Sequence, residues 1–261
     1  MAEKIKNMSI YIQRMEASLQ EKLYFMNHLH NTVEYILDFG CADGVLLEAV
    51  SNAGYKCFGI DNEPEMQKLA YQRLGNKVKI YNSLDEFLSH NSDIVNNTAI
   101  ILSSVVHEIF SYSSLSEAFS LLNQIGSIGF KQICIRDMAL NESMNYSLIP
   151  ASLDLTKVKN HKLYRSYVNF LGHEPSTYKE LYHFLLKYRY EDNWNRELPE
   201  NYLIFSMEEL MKVYSFSQHP YKYNLSFFEH KVLEYTKEQV YKDFGLVMDR
   251  ATNYKLIYTR E

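Results

Sequence analysis

The run Tyr35-Ile-Leu-Asp-Phe-Gly-Cys-Ala-Asp-Gly44 sets one acid near the end of a short apolar stretch and a second acid inside a loop bounded by glycines. Val45-Leu-Leu-Glu-Ala-Val50 follows and reads as a helix. A strand, a tight glycine turn and a helix N-terminus in that order make a cradle for a nucleotide-type ligand. Gly40 and Gly44 admit backbone angles that other residues resist, and they let a ligand approach the main chain. The spacing G-x-x-x-G lacks the dinucleotide fingerprint G-x-G-x-x-G. Asp43 in that loop is a poor host for a diphosphate and a better one for a cation, which disfavours NAD and FAD. Asp61 follows Gly40 by 21 residues, the separation at which an acid reaches ribose hydroxyls in such folds. His107, in Ser103-Ser-Val-Val-His-Glu108, is able to take up or return a proton near neutral pH, and Glu108 beside it can orient the ring. His161, His173 and His183 could join it around a metal only through folding; their spacing demands none, and no metal is assigned.

Positioning these residues requires strands that end where they begin. Short apolar runs predict strands over 35–39, 55–60, 78–81, 98–102 and 130–135, with helices between them. Gly54 closes the helix from Val45, Pro64 opens the next, and Ser114 with Glu117 forms a capping-box pattern. Such alternation implies an α/β fold with a mostly parallel sheet, right-handed crossovers and helices on both faces. Ligands then bind beyond the carboxyl ends of the strands, which nominates residues 38–44, 61, 82–84, 103–107 and 136–138 as one rim. Ile5, Met8, Ile12, Met15, Leu19, Leu23 and Met26 form a helical stripe that packs on the body or covers its pocket, with Tyr11 and Arg14 off the stripe and able to reach a ligand. Between 139 and 205 the alternation stops, and the segment is rich in Tyr, His, Lys and Arg. Thr177 and Glu180 cap a helix there whose one face carries Tyr178, Leu181, Tyr182, Leu185 and Arg189. Strands at 221–229 and 253–259 complete the sheet edge as an antiparallel pair, joined by a long connection with a helix start at Thr236. The expected organisation is an N-terminal helical cap (1–34), a core (35–138 and 206–261) and a helical insertion covering the acceptor side (139–205).

The 261 residues are 46% hydrophobic and 23% charged, ordinary for one buried core. A net charge of −5 supplies no basic field for nucleic acid. Cys41, Cys57 and Cys134 lie far apart without disulfide or metal spacing, which fits a reducing compartment. No apolar run approaches the ~18 residues of a membrane span. A cytoplasmic protein without a membrane partner is the expectation.

Leu37-Asp-Phe-Gly-Cys-Ala-Asp-Gly44, Gly59-Ile-Asp61, Asn82-Ser-Leu84 and Ser103-Ser-Val-Val-His107, in that order, resemble the class I S-adenosylmethionine-dependent methyltransferases. The resemblance covers roughly 35–137 and the terminal strands. It implies a Rossmann-like sheet with the last strand antiparallel, and S-adenosylmethionine as cofactor with S-adenosylhomocysteine as product. It also implies cofactor contacts from Asp38, Gly40, Cys41, Gly44, Asp61, Asn62, Asn82, Ser83, Leu84 and Ser103. His107 then stands where a catalytic base faces the transferred methyl, or where a side chain positions the acceptor. Tyr11, Arg14, Glu108, Tyr112, Arg136, Tyr182 and Arg189 are the candidate contacts to an acceptor bearing phosphate or carboxylate. A second set, residues 11–15, 23–25, 107–112 and 187–194, is similar to a bacterial methyltransferase group found with nucleotidyltransferases in capsule decoration, including the O-methyl phosphoramidate pathway. That resemblance implies O-methylation of a small anionic or nucleotide-activated acceptor. The alternatives are an RNA or tRNA methyltransferase and a non-catalytic S-adenosylmethionine-binding protein.

Overall fold

A computed structural model describes residues 18–215 and 219–261; Tyr11 and Arg14 lie outside the described residues. Seven strands form one sheet in the order β3-β2-β1-β4-β5-β7-β6. They are β1 Tyr35–Phe39, β2 Lys56–Ile60, β3 Lys79–Tyr81, β4 Thr98–Ser103, β5 Gln132–Met138, β6 Tyr223–Lys231 and β7 Asn253–Arg260. β7 alone runs against its neighbours, so β6 is parallel to the first five strands. The chain order reverses between β1 and β4, which opens a crevice at their carboxyl ends.

The side chains of β1, β4 and β5 alternate between two apolar clusters, as strands covered on both faces must. Leu37, Ile100, Leu102, Ile133 and Ile135 pack with α3 Leu84–Asn91, α4 Val106–Tyr112, α5 Leu115–Ile128 and α8 Met207–Ser215. Ile36, Ala99, Ile101 and Cys134 pack on the other face with α1 Val45–Asn52, α2 Pro64–Leu74 and the segment Leu19–His28. Where described, the segment of the helical stripe forms one α-helical turn, Leu19–Lys22, that passes into a 3-10 helix, Leu23–His28. Its Leu19, Leu23 and Met26 do lean on the second cluster, in keeping with the stripe. Capping boxes at Ser114/Glu117 and Thr177/Glu180 open α5 and α7 Tyr178–Lys187.

A third cluster joins the irregular segment, including Tyr167 of α6 Tyr164–Leu171 and also Tyr182, Phe184, Leu185 and Trp194, to Val232, Val240, Phe244, Leu246 and Met248. The last five come from the connection between β6 and β7, which carries α9 Glu234–Phe244. That connection leaves a parallel strand and therefore lies at the carboxyl edge, beside the 139–205 segment.

Candidate functional site

The glycine loop is built on left-handed backbone at Gly40 (φ +78°), Ala42 (φ +45°) and Gly44 (φ +78°). The N–H groups of Gly40 and Cys41 donate to the Ile60 carbonyl at 2.8 and 3.0 Å, fastening the loop to the end of β2. Asp61 follows that strand. Its carboxylate accepts from the Ala42 N–H at 2.8 Å and the Glu63 N–H at 2.9 Å. Burial nevertheless raises its pKa, against the pull of both bonds. Gln67 donates to the Asp61 carbonyl and to Asn82 Oδ1 at 3.0 Å, tying the ends of β2 and β3 together.

Several predicted cofactor residues turn out to act through the main chain or through packing. A Cβ on Gly44 would meet Leu74 Cδ1 at 2.7 Å, and one on Gly40 would meet Val105 Cγ2 at 2.9 Å, so loop, α2 and the turn after β4 are in close contact. Cys41 turns its thiol inward against Gly59, leaving its backbone at the loop. Ser83 Oγ accepts from the Glu86 N–H at 3.1 Å as the N-cap of α3, and Leu84 is buried in the core. Asn82 is held by Glu86 through its main-chain and side-chain nitrogens, at 2.7 and 2.8 Å, and Asn62 is exposed. Asp43 corrects the reading of the loop as a cation host: it is buried and paired with Arg73 at 2.7 Å, and it makes no cap on α1.

Asp38 is 4% exposed, and burial pushes its carboxyl up to about 7 despite Lys22 nearby, with Asp61 and Asp43 adding to the rise. At the end of β4, Ser103 Oγ is buried without a partner. Ser104 is a non-glycine residue at φ +59°, a conformation costing ~1–2 kcal/mol. Its N–H donates to the Arg136 carbonyl at 2.7 Å, and its hydroxyl accepts from Arg136 Nη1 at 2.8 Å. Arg136 is buried and its Nε has no partner. Strain and unpaired polar atoms therefore meet at the β1/β4 crevice, a pattern typical of sites held for a ligand.

For His107 the sequence allows two roles, a base or a positioning side chain. The residue is 6% exposed. Its Nδ1 lies 2.6 Å from Asp137 Oδ1, its main-chain N–H donates to Asp137 Oδ2 at 3.1 Å, and its Nε2 is 3.6 Å from Glu200 Oε2. Burial alone would depress its pKa, but Asp137, Glu200 and Glu108 outweigh burial and raise it well above the ordinary value. These carboxylates favour the protonated ring, which has no lone pair with which to act as a base. Around it, Arg196 bridges Glu108 at 2.8 Å and Glu200 at 3.3 Å, and the Tyr112 hydroxyl donates to Glu200 at 2.8 Å. Lys187, fully buried, donates to the carbonyls of Leu198 and Glu200; burial pulls its pKa down to about 7, against Glu200 and Glu197. His107, Glu108 and Glu200 present ligand atoms within 4.8 Å of one another, but the Arg196 cation already bridges the two acids.

The acceptor candidates thus separate. Glu108 and Tyr112 belong to this network between α4 and the insertion, with Glu108 held by Arg196. The Tyr182 hydroxyl is engaged by Asp249 at 3.0 Å inside the third cluster. Arg189 lines a cleft of about 650 Å³ with Lys157, His161 and Asp243, and no rim residue shares that cleft. Arg136 is the candidate that stands at the crevice. The sequence reading missed Glu200 and Arg196, which belong to the insertion and carry no spacing relation to His107, and Lys22, whose neighbours gave it no motif.

No family model matches the sequence, nor does any curated protein. Solved structures do. One is a putative S-adenosylmethionine-dependent methyltransferase from Listeria monocytogenes, 13% identical, with a TM-score of 0.50 over 94% of this chain and 99% of the other. Another is a protein from Pyrococcus horikoshii, 12% identical, with a TM-score of 0.50 over 100% and 95%. At such identities the likeness shows the fold, a Rossmann-like class I methyltransferase sheet. No helix among the described residues is long and apolar enough to cross a membrane.

Proposed function

We propose that this protein is an S-adenosylmethionine-dependent methyltransferase acting on a small anionic acceptor. The observation that supports the reading best is Asp61 hydrogen-bonded to the Ala42 N–H, which sets a ribose-distance acid against the glycine loop beside buried Asp38. These residues suit the donor: Asp61 for ribose hydroxyls, Asp38 for an ammonium group, the backbone of Gly40 and Cys41 for the amino-acid end, and Asn82 with the main chain of 83–84 for adenine. The bound donor supplies an activated methyl on a sulfonium centre. The chain's own work is orientation and exclusion of water.

Arg136 stands at the end of β5, joined to Ser104, and is suited to hold an anionic acceptor by charge-assisted hydrogen bonds. An oxygen that already carries charge needs no base, which agrees with the carboxylates around His107 favouring its protonated form. We assign His107 to positioning: it joins α4 to Asp137 on β5 and to Glu200 of the insertion. A nucleotide-activated or phosphoramidate acceptor, as in capsule decoration, is the acceptor class this chemistry favours. The test is release of S-adenosylhomocysteine on incubation with S-adenosylmethionine and a panel of phosphorylated, carboxylated and nucleotide-linked acceptors, alongside calorimetry with S-adenosylhomocysteine. Neither heat nor turnover would sink the proposal; heat without turnover would leave a cofactor-binding protein that does not transfer methyl groups.

A further inference from the structure

Ser103, Arg136, Lys255 and Glu229 stand in register across β4, β5, β7 and β6, so their side chains share the face covered by the segment Leu19–His28. Two anchors fix that segment. Glu21 pairs with Lys255 at 2.5 Å and Lys231 at 3.5 Å. The Tyr24 hydroxyl reaches the carbonyls of Ile135 and Leu256 at 2.9 Å each. Lys22 lies between these anchors and is turned inward, with 7% of its surface exposed. It makes no side-chain hydrogen bond or ion pair with any described residue, yet it lies within electrostatic range of Arg136, Asp38 and Asp43.

Ion pairing at this corner is incomplete among the described residues. Asp43 is taken up by Arg73. Among the described residues, two buried cations, Lys22 and Arg136, then face buried Asp38 with half-buried Asp61 beside it, and neither cation is ion-paired to a carboxylate. A buried ammonium group is costly unless paired, and a ligand anion would relieve that cost. The amino-acid end of the methyl donor carries an ammonium and a carboxylate on the same carbon, so it matches an acid and a cation set side by side.

We propose that Lys22 is the counter-ion of the carboxylate at the donor's amino-acid end, opposite Asp38 at the ammonium. The assignment rests on the methyl-donor reading above. It gives the segment before β1 a direct part in ligand binding, from outside the glycine loop.

Two ligands test it: S-adenosylhomocysteine, and 5′-methylthioadenosine, which keeps the nucleoside and lacks the amino-acid end. Calorimetry on Lys22→Met should show S-adenosylhomocysteine bound roughly ten- to hundredfold more weakly, with 5′-methylthioadenosine unchanged. Binding of the latter also certifies that the variant is folded. Lys22→Arg should restore most of the affinity. If Lys22→Met weakens both ligands alike, or neither, the inference is overturned. The same holds if Arg136→Met produces the selective loss and Lys22→Met does not. Failure of the unaltered protein to bind either ligand would instead remove the methyl-donor reading, and the inference with it.

Discussion

Asp38 and His107 hold their protons for opposite reasons, and each makes a prediction. The folded pKa of Asp38, about 7, lies above its unfolded value, so the ligand-free protein loses stability as pH rises from about 4 to about 7 and the buried acid ionises. An ammonium group at Asp38 requires the ionised form. Affinity for S-adenosylhomocysteine should therefore climb with pH up to about 7, then fall above about 8, where Lys22 gives up its proton. Asp38→Asn should abolish the acid limb in calorimetric titrations across that range. The neighbouring charges are Lys22, Asp61, Asp43 and Arg136, all of which face this corner. His107 behaves the other way. Its pKa is raised, so its contribution to stability is complete below about 6.5 and is lost as pH climbs through the raised value. His107→Ala leaves Asp137 and Glu200 as buried acids facing a void and should cost about 3–5 kcal/mol of stability, read by denaturant unfolding. An unchanged unfolding midpoint, paired with lost turnover, would return His107 to a chemical role. Asp61→Asn should weaken S-adenosylhomocysteine binding about tenfold or more while keeping one acceptor for the loop amides; equal affinity would remove Asp61 from the site.

At the scale of elements, Gly44 joins the loop to α2, because its left-handed φ and its contact with Leu74 and Ala70 both exclude a side chain. Gly44→Ala should lower stability by about 2–4 kcal/mol, from backbone strain plus overpacking. Leu74→Ala in the same chain should recover the packing part and leave the strain, as a double-mutant cycle in urea would show. The elements themselves were legible from local signals: apolar runs gave β1 and β4 to within a residue, and Ser114, Thr177 and Pro64 announced helix starts through capping chemistry. The glycine loop and Asp61 were legible for the same reason, since their geometry is local. What the chain order hides is pairing at long range. Glu200 reaches His107 across 93 positions, and Lys22 faces Asp38 from an element with no motif of its own. Asp43 misled because a charge in a loop reads as available until its partner, Arg73, is found on α2.

At the scale of the molecule, the 139–205 segment is not an appendage to a finished core. Its cluster is shared with Val232, Val240, Phe244, Leu246 and Met248. Excising 139–205 should therefore leave those side chains exposed and give a chain that aggregates or unfolds cooperatively at much lower denaturant, measured against the intact protein. Equal stability of the shortened chain would show that the sheet closes without it. The clasp of His107 between Asp137 and Glu200 carries the same dependence into descent. A lineage that changes any one of the three strands a buried charge, so tolerated histories must alter them in concert or pass through a weakened ancestor. In relatives of this chain, positions 107, 137 and 200 should thus drift as one unit of inheritance, although they sit on three separate stretches of the gene.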